Sequence, residues 1–267
     1  MSLYSDYLSL KAEKTSGQFS VYVDDEKMSL ASAGIIADTV RMKPDALLCL
    51  PSGSTPLGTF DMLCRMQEEG DISFARSRFM QLDEWLSLED ESENCQHFLE
   101  KQFYHRAGIS AGQIYCFDTH AADIREECLK ADAYLEAEGP VDMMVLGIGM
   151  NGHLGLNEPG ISWTLKTTEV VLSDTTRSVG QKYFSERTTL TRGMTLGMTH
   201  ILASKHVLLQ ISGAHKADIA RQLYTSGPDI RLPASALKTH SDAEILMDRG
   251  AASKICLTIS YVTHSVR

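Results

Sequence analysis

Ala46-Leu47-Leu48-Cys49-Leu50-Pro51-Ser52-Gly53-Ser54-Thr55-Pro56 passes from an unbroken apolar run through a short polar turn into the helix-period segment Pro56–Gln67. Five apolar residues closed by Pro and Gly read as a strand buried on both faces, and the following periodicity reads as a helix laid against it. The unit repeats on both sides of this stretch. Short, largely apolar runs at Arg78–Leu82, Ile114–Phe117, Val141–Gly147, His206–Ile211 and Ala243–Met247 alternate with helix-period segments at Met28–Val40, Asn94–Phe103, Ile124–Glu138 and Lys216–Tyr224. Such alternation predicts an α/β fold, doubly wound, with a mostly parallel sheet and helices on both faces.

A chain of 267 residues with 43% apolar content can bury a full core, and no Pro/Gly/Ser-rich linker, repeat or low-complexity tract divides it. One domain over 1–267 is expected, with the polar, weakly periodic stretch Gly160–Thr191 as a mobile lid. A net charge of −10 and a pI near 5.4 argue against a nucleic-acid partner, which needs Lys and Arg to displace phosphate counterions. The six cysteines are scattered, with no C-x-x-C pair or metal-finger spacing, and read as reduced and mostly buried. The N-terminus shows no basic then apolar leader, and no apolar run approaches ~18 residues, so no membrane contact and a cytoplasmic location are expected.

In open α/β sheets ligands bind beyond the carboxyl ends of the strands, and several strand ends here carry unusual residues. The turn Ser52-Gly53-Ser54-Thr55 delivers hydroxyls and backbone N–H groups to a helix start, with Thr55 as N-cap and Pro56 at N1. Donors and the positive end of a helix dipole suit a phosphate there, although an ordinary capped turn has the same look. Arg78–Leu82 runs into Asp83-Glu84-Trp85. Consecutive extended residues point oppositely, so one carboxylate of the pair faces a pocket; Asp83 is the candidate general base, unless it merely caps a helix or pairs with a cation. Trp85 reads as a packing residue.

After Val141–Gly147 comes Ile148-Gly149-Met150-Asn151-Gly152-His153-Leu154-Gly155-Leu156-Asn157-Glu158-Pro159-Gly160, a glycine-rich loop dense in polar groups. His153 can shuttle a proton at neutral pH, with Glu158 orienting the imidazole and favouring its protonated form; a turn histidine bonded to backbone is the plainer alternative. A metal site is disfavoured, since the pattern is not H-E-x-x-H and no Cys/His pair has zinc spacing. At Ser212-Gly213-Ala214-His215-Lys216 a lysine stands in a first helical turn, where a cation is unfavourable unless an anion lies between, or unless it is solvated.

Together these junctions resemble the glucosamine-6-phosphate deaminase/isomerase family over roughly residues 25–250. The loop Gly149-x-Asn151-Gly152-His153-x-Gly155-x-Asn157-Glu158-Pro159-Gly160 is the most specific part. Leu82–Trp85, Leu154–Leu156, Thr191–Gly197 and Leu232-Pro233-Ala234-Ser235 look nearest to its galactosamine-6-phosphate branch. The resemblance implies a modified Rossmann-like domain needing no metal or organic cofactor. It implies an amino-sugar phosphate as partner, galactosamine 6-phosphate going to tagatose 6-phosphate and ammonia, with glucosamine 6-phosphate as the alternative. By the same resemblance His153 assists ring opening, tuned by Glu158, and Asp83 carries a proton between C2 and C1. Ser52, Gly53, Ser54, Thr55 and Lys216 hold phosphate. Some family members carry aspartate where this chain has Asn151, so a relay from the histidine to a carboxylate is expected to run through Glu158. A lid arginine that helps hold phosphate in the glucosamine enzymes aligns with Lys182, which makes Lys182 a further phosphate ligand that keeps the charge without the bidentate fork. A homo-oligomer is left open and no allosteric site is assigned. The rival readings are 6-phosphogluconolactonase, which typically lacks the Asn157–Gly160 continuation, and a non-catalytic sugar-phosphate sensor, for whose helix-turn-helix the chain offers neither room nor basic charge.

Overall fold

The computed structural model describes residues 2–14, 17–256 and 260–263. Its strands are β1 (Lys11–Lys14), β2 (Phe19–Tyr22), β3 (Leu47–Leu50), β4 (Arg78–Gln81), β5 (Asp83–Leu86), β6 (Ile114–Tyr115), β7 (Met143–Gly147), β8 (Thr168–Val171), β9 (Arg192–Thr195), β10 (His206–Ile211), β11 (Ala243–Asp248) and β12 (Ser260–Thr263). The α-helices are α1 (Leu3–Leu8), α2 (Asp25–Met42), α3 (Leu57–Glu68), α4 (Cys95–Leu99), α5 (Ile124–Glu138), α6 (Asp174–Gly180), α7 (Met198–Ala203) and α8 (Ala217–Thr225).

Among the described residues nine strands form the main sheet in the order β12-β1-β2-β11-β10-β7-β3-β4-β6. From β2 to β6 every neighbouring pair is parallel, while β1 and β12 add antiparallel at one edge. The expected doubly wound sheet is therefore present. Alternate residues of each central strand enter two separate cores. Leu47, Cys49, Met144, Leu146, Val207 and Leu209 meet α5, α7 and α8 through Leu135, Ile201 and Leu223. Leu48, Leu50, Met143, Val145 and Leu208 meet α2 and α3 through Met28, Ile36, Phe60 and Leu63 on the opposite face. Strands buried on both sides explain why their sequences read as continuous apolar runs.

One expectation needs correcting, and two features were not anticipated. Thr55 does not cap α3: Pro56 holds that position, without a side-chain cap. A second, three-stranded antiparallel sheet, β5-β9-β8, stands beside the first and takes up the residues after Leu82. Part of Gly160–Thr191 is thus regular structure: β8 lies in the small sheet, and α6 is capped by Ser173, whose hydroxyl accepts the Thr176 N–H. Trp85, Leu156, Val170, Leu172, Phe184 and Leu190 form a third small core under this region.

Candidate active site

Along the chain β3, β4 and β6 extend the sheet in one direction, then β7 returns to the other flank of β3 and is followed outward by β10 and β11. The order reverses between β3 and β7, and a crevice opens beyond carboxyl ends at such a reversal. A cavity of about 120 Å³ lies there. Ser52, Gly53, Ser54 and Thr55 line it from beyond the end of β3, Asp83 from the start of β5 just past β4, His153 from the loop after β7 and Lys216 from the turn after β10. Lys182 and Tyr183 line it from the segment after α6. Asn151 and Glu158, also expected in the site, stand behind His153 rather than on the wall.

Asp83 opens β5, so its neighbour Glu84 points the other way, as strand geometry demands. Glu84 is buried and accepts the backbone N–H groups of Trp85 (2.8 Å), Cys95 (2.9 Å) and Gln96 (2.9 Å) and the Gln81 amide (2.8 Å). Burial, and then the charge of Glu84, push the Asp83 carboxyl up to about 7. A carboxylate so placed is matched to base catalysis at neutral pH.

His153 folds back over its own loop. A Cβ on Gly149 would lie 2.2 Å from the imidazole, so glycine is required there. The Asn151 amide nitrogen donates to Glu158 Oε2 (2.8 Å) and Ser173 Oγ (3.1 Å), which turns its Oδ1 toward His153. That oxygen accepts from the His153 backbone N–H (3.2 Å) and stands 2.8 Å from Nδ1. An amide oxygen carries no proton, so Nδ1 holds the hydrogen and Nε2 keeps its lone pair.

The sequence expectation about this histidine changes accordingly. Glu158 lies 3.9 Å from Nδ1 and reaches the ring mainly through Asn151. Burial lowers the His153 pKa to about 4; Glu158 does pull upward, as expected, but is outweighed, and Lys216 adds to the fall. The imidazole is neutral at pH 7. Glu158 itself is pushed up by burial but brought below the usual carboxylate range by Thr176, the Ser173 N–H (3.0 Å), His153 and Asn151.

Lys216 is buried, not solvated, and donates from Nζ to the Ile148 carbonyl (2.6 Å). Burial, then repulsion from Lys182, lower it to about 8. Two ammonium groups crowding one end of a cavity beside Ser52–Thr55 form an anion-binding arrangement. Gly53 has φ +127°, and a Cβ there would sit 3.3 Å from the Tyr183 hydroxyl, so the turn and that phenol fit closely. Sequence reading missed Tyr183, Ser173 and Thr176. The Ser173-x-x-Thr176 pattern signals a helix cap, but nothing local shows that this cap abuts His153, where Thr176 Oγ1 lies 3.2 Å from Nδ1.

Among the described residues no cluster of three or more metal-ligating side chains occurs, and no helix is long and apolar enough to cross a membrane. Comparison with known proteins gives consistent relatives. Glucosamine-6-phosphate deaminase 1 of Bacillus subtilis (strain 168) is 37% identical over 230 residues, 85% of this chain and 95% of its own. Glucosamine-6-phosphate deaminase of Thermoanaerobacter sp. (strain X514) is 32% identical over 237 residues, 88% and 94%. A solved monomeric glucosamine-6-phosphate deaminase superposes with TM-score 0.85 at 35% identity, over 89% of this chain and all of that one. The 6-phosphogluconolactonase of Leishmania guyanensis, at 20% identity and TM-score 0.70 over 90% and 99%, shares the fold alone. Residues 26–247 match the sequence pattern of the glucosamine-6-phosphate isomerases/6-phosphogluconolactonase family, and the chain belongs to that family.

Proposed function

We propose that this chain is an amino-sugar-phosphate isomerase/deaminase that converts glucosamine 6-phosphate into fructose 6-phosphate and ammonia. The observation that carries this reading is one cavity holding a carboxylate poised near neutrality, a neutral imidazole and a paired-lysine anion end. The relatives at 30% identity or more reported above are glucosamine-6-phosphate deaminases, which favours the gluco substrate, first carried as the alternative, over the galacto one. The residues behind the galacto expectation give it little physical support. Leu154, Leu232 and Ser235 are buried, Gly155 and Leu156 reach the cavity with no side-chain polar group to read a C4 hydroxyl, and Trp85, which also lines the cavity, is packed in the small core against Phe184.

In the proposed reaction Ser52–Thr55 and Lys216 bind the 6-phosphate, and the segment bearing Lys182 and Tyr183 closes over it. His153 Nε2 accepts the C1 hydroxyl proton as the pyranose opens and the ring oxygen gains one. Asp83 removes the C2 proton from the open aldehyde, giving an enol-type intermediate, and returns it to C1. The C2 imine so formed takes up water and expels ammonia, leaving the ketose. Ammonia release is measured with glucosamine 6-phosphate and its C4 epimer separately. A kcat/KM tenfold higher for the galacto epimer, about 1.4 kcal/mol, overturns the substrate, and no ammonia from either sugar overturns the reaction.

A further inference from the structure

The relay behind His153 has a member that neither sequence motif nor proposed mechanism uses. Thr176 is buried, three residues past the Ser173 cap of α6. Its Oγ1 lies 3.2 Å from His153 Nδ1 and accepts from the Ser173 hydroxyl at 3.1 Å. The Thr176 hydroxyl also hydrogen-bonds to Glu158 and stabilises its charge; Oε1 of that carboxylate is fixed by the Ser173 N–H and Oε2 by Asn151. Glu158 therefore faces the imidazole through two neutral groups, an amide and a hydroxyl. They are chemically unequal. The Asn151 oxygen accepts a hydrogen bond but has no proton to pass on, whereas a hydroxyl takes a proton on one lone pair while surrendering its own.

We propose that the Thr176 hydroxyl is a positioning and proton-relay residue, linking His153 Nδ1 to Glu158 during sugar ring opening; this rests on the function proposed above. As Nε2 takes the C1 hydroxyl proton, the Nδ1 hydrogen moves to Thr176 Oγ1 and the Thr176 proton moves to Glu158. The aldehyde forms as the C1–ring oxygen bond breaks. The imidazole stays neutral in its other tautomer, and Glu158 becomes a carboxylic acid. Reversal of the three transfers delivers the proton to the ring oxygen, so no proton is gained or lost. A largely enclosed imidazole beside Lys216 is an unfavourable place for a full positive charge, and this route avoids forming one.

The test compares Thr176→Val, which keeps the shape, with Thr176→Ser, which keeps the hydroxyl. Ammonia release from glucosamine 6-phosphate is measured with hydrogen or deuterium at C2. If the relay operates, Thr176→Val lowers kcat roughly ten- to a hundred-fold with KM nearly unchanged, and Thr176→Ser restores most of the rate. The C2 isotope effect on kcat must fall toward unity in Thr176→Val, because ring opening replaces C2 proton removal as the slow step. Merely structural damage at Asp83 would leave that isotope effect intact or enlarge it. A Val variant as fast as the native enzyme, a rate loss with an undiminished isotope effect, or a Ser variant no better than Val each refutes the relay. Should Thr176→Val fail to fold by thermal melting, Thr176→Ala takes its place. An unmutated protein releasing no ammonia refutes the proposed function, and the relay with it; an active native enzyme with an unimpaired Val variant refutes the relay alone.

Discussion

Replacing Asp83 by Asn is expected to stabilise the protein while disabling it. The carboxyl titrates near 7 in the fold, against an ordinary value of 3.8, because burial and Glu84 disfavour its charge. The folded state thus holds this proton more tightly than the unfolded chain. Ionised Asp83 costs nothing below about pH 4, and the cost grows through the interval up to about pH 7, where it levels off. At ~1.4 kcal/mol per pH unit the ceiling is on the order of 4 kcal/mol, and water at the cavity mouth reduces it. An amide at this position carries no charge at any pH. The variant should gain roughly 2–4 °C in Tm per kcal/mol recovered at pH 8, and nothing at pH 4. Melting both proteins at several pH values isolates this group, since every other titration is common to the two. Its kcat should meanwhile drop by ~10²–10⁴ with binding nearly intact. A Tm difference that does not grow with pH would refute the electrostatic account, and a kcat above about a tenth of native would remove Asp83 as the base.

Because the base must be ionised, kcat/KM should climb with pH through about 7, and decline above about 8 as Lys216 loses its charge; an acid limb near 5 would contradict the Asp83 assignment. Lys216→Ala should raise KM roughly ten- to a hundred-fold with little change in kcat, and an unchanged KM would take Lys216 out of the site. Asn151→Asp places a carboxylate where Oδ1 now stands 2.8 Å from Nδ1, so His153 should titrate above its present value of about 4. Proton NMR of the imidazole follows this directly, and an unmoved titration would show that residue 151 does not face the ring.

What the sequence disclosed follows the range of each interaction. The Ser52–Thr55 turn, Asp83 and the Asn151–Glu158 loop were visible because strand ends and glycine-rich turns are written locally. The opposite facing of Asp83 and Glu84 followed from pleat geometry alone, and the structure has it so. The small sheet was not visible. Only Leu82 separates β4 from β5, so two strands of different sheets read as one run, while β8 begins with the polar pair Thr168-Glu169. β2 spans only Phe19–Tyr22, with a serine inside it, too short to stand out. The state of His153 was misjudged because burial is a property of the assembled fold, whereas its charged neighbour Glu158 was adjacent in sequence. Thr176 lies 23 residues from the ring it touches, beyond any local signal.

The three-stranded sheet carries a mechanical consequence. Asp83 of β5 and Thr168 of β8 both pair with Thr195 of β9, and only Leu172 and Ser173 separate β8 from α6. The proposed base and the root of the proposed lid therefore ride on one hydrogen-bonded raft. Swinging the whole of Gly160–Thr191 as a unit would tear β8 from β9 and drag the base with it. Any opening that spares Asp83 and the Thr176 contact to His153 must pivot beyond the raft and beyond the first turn of α6, which confines the travelling part to the end of α6 and the short stretch bearing Lys182 and Tyr183. In such a design the substrate gate and the reacting carboxylate share a foundation while only the gate moves.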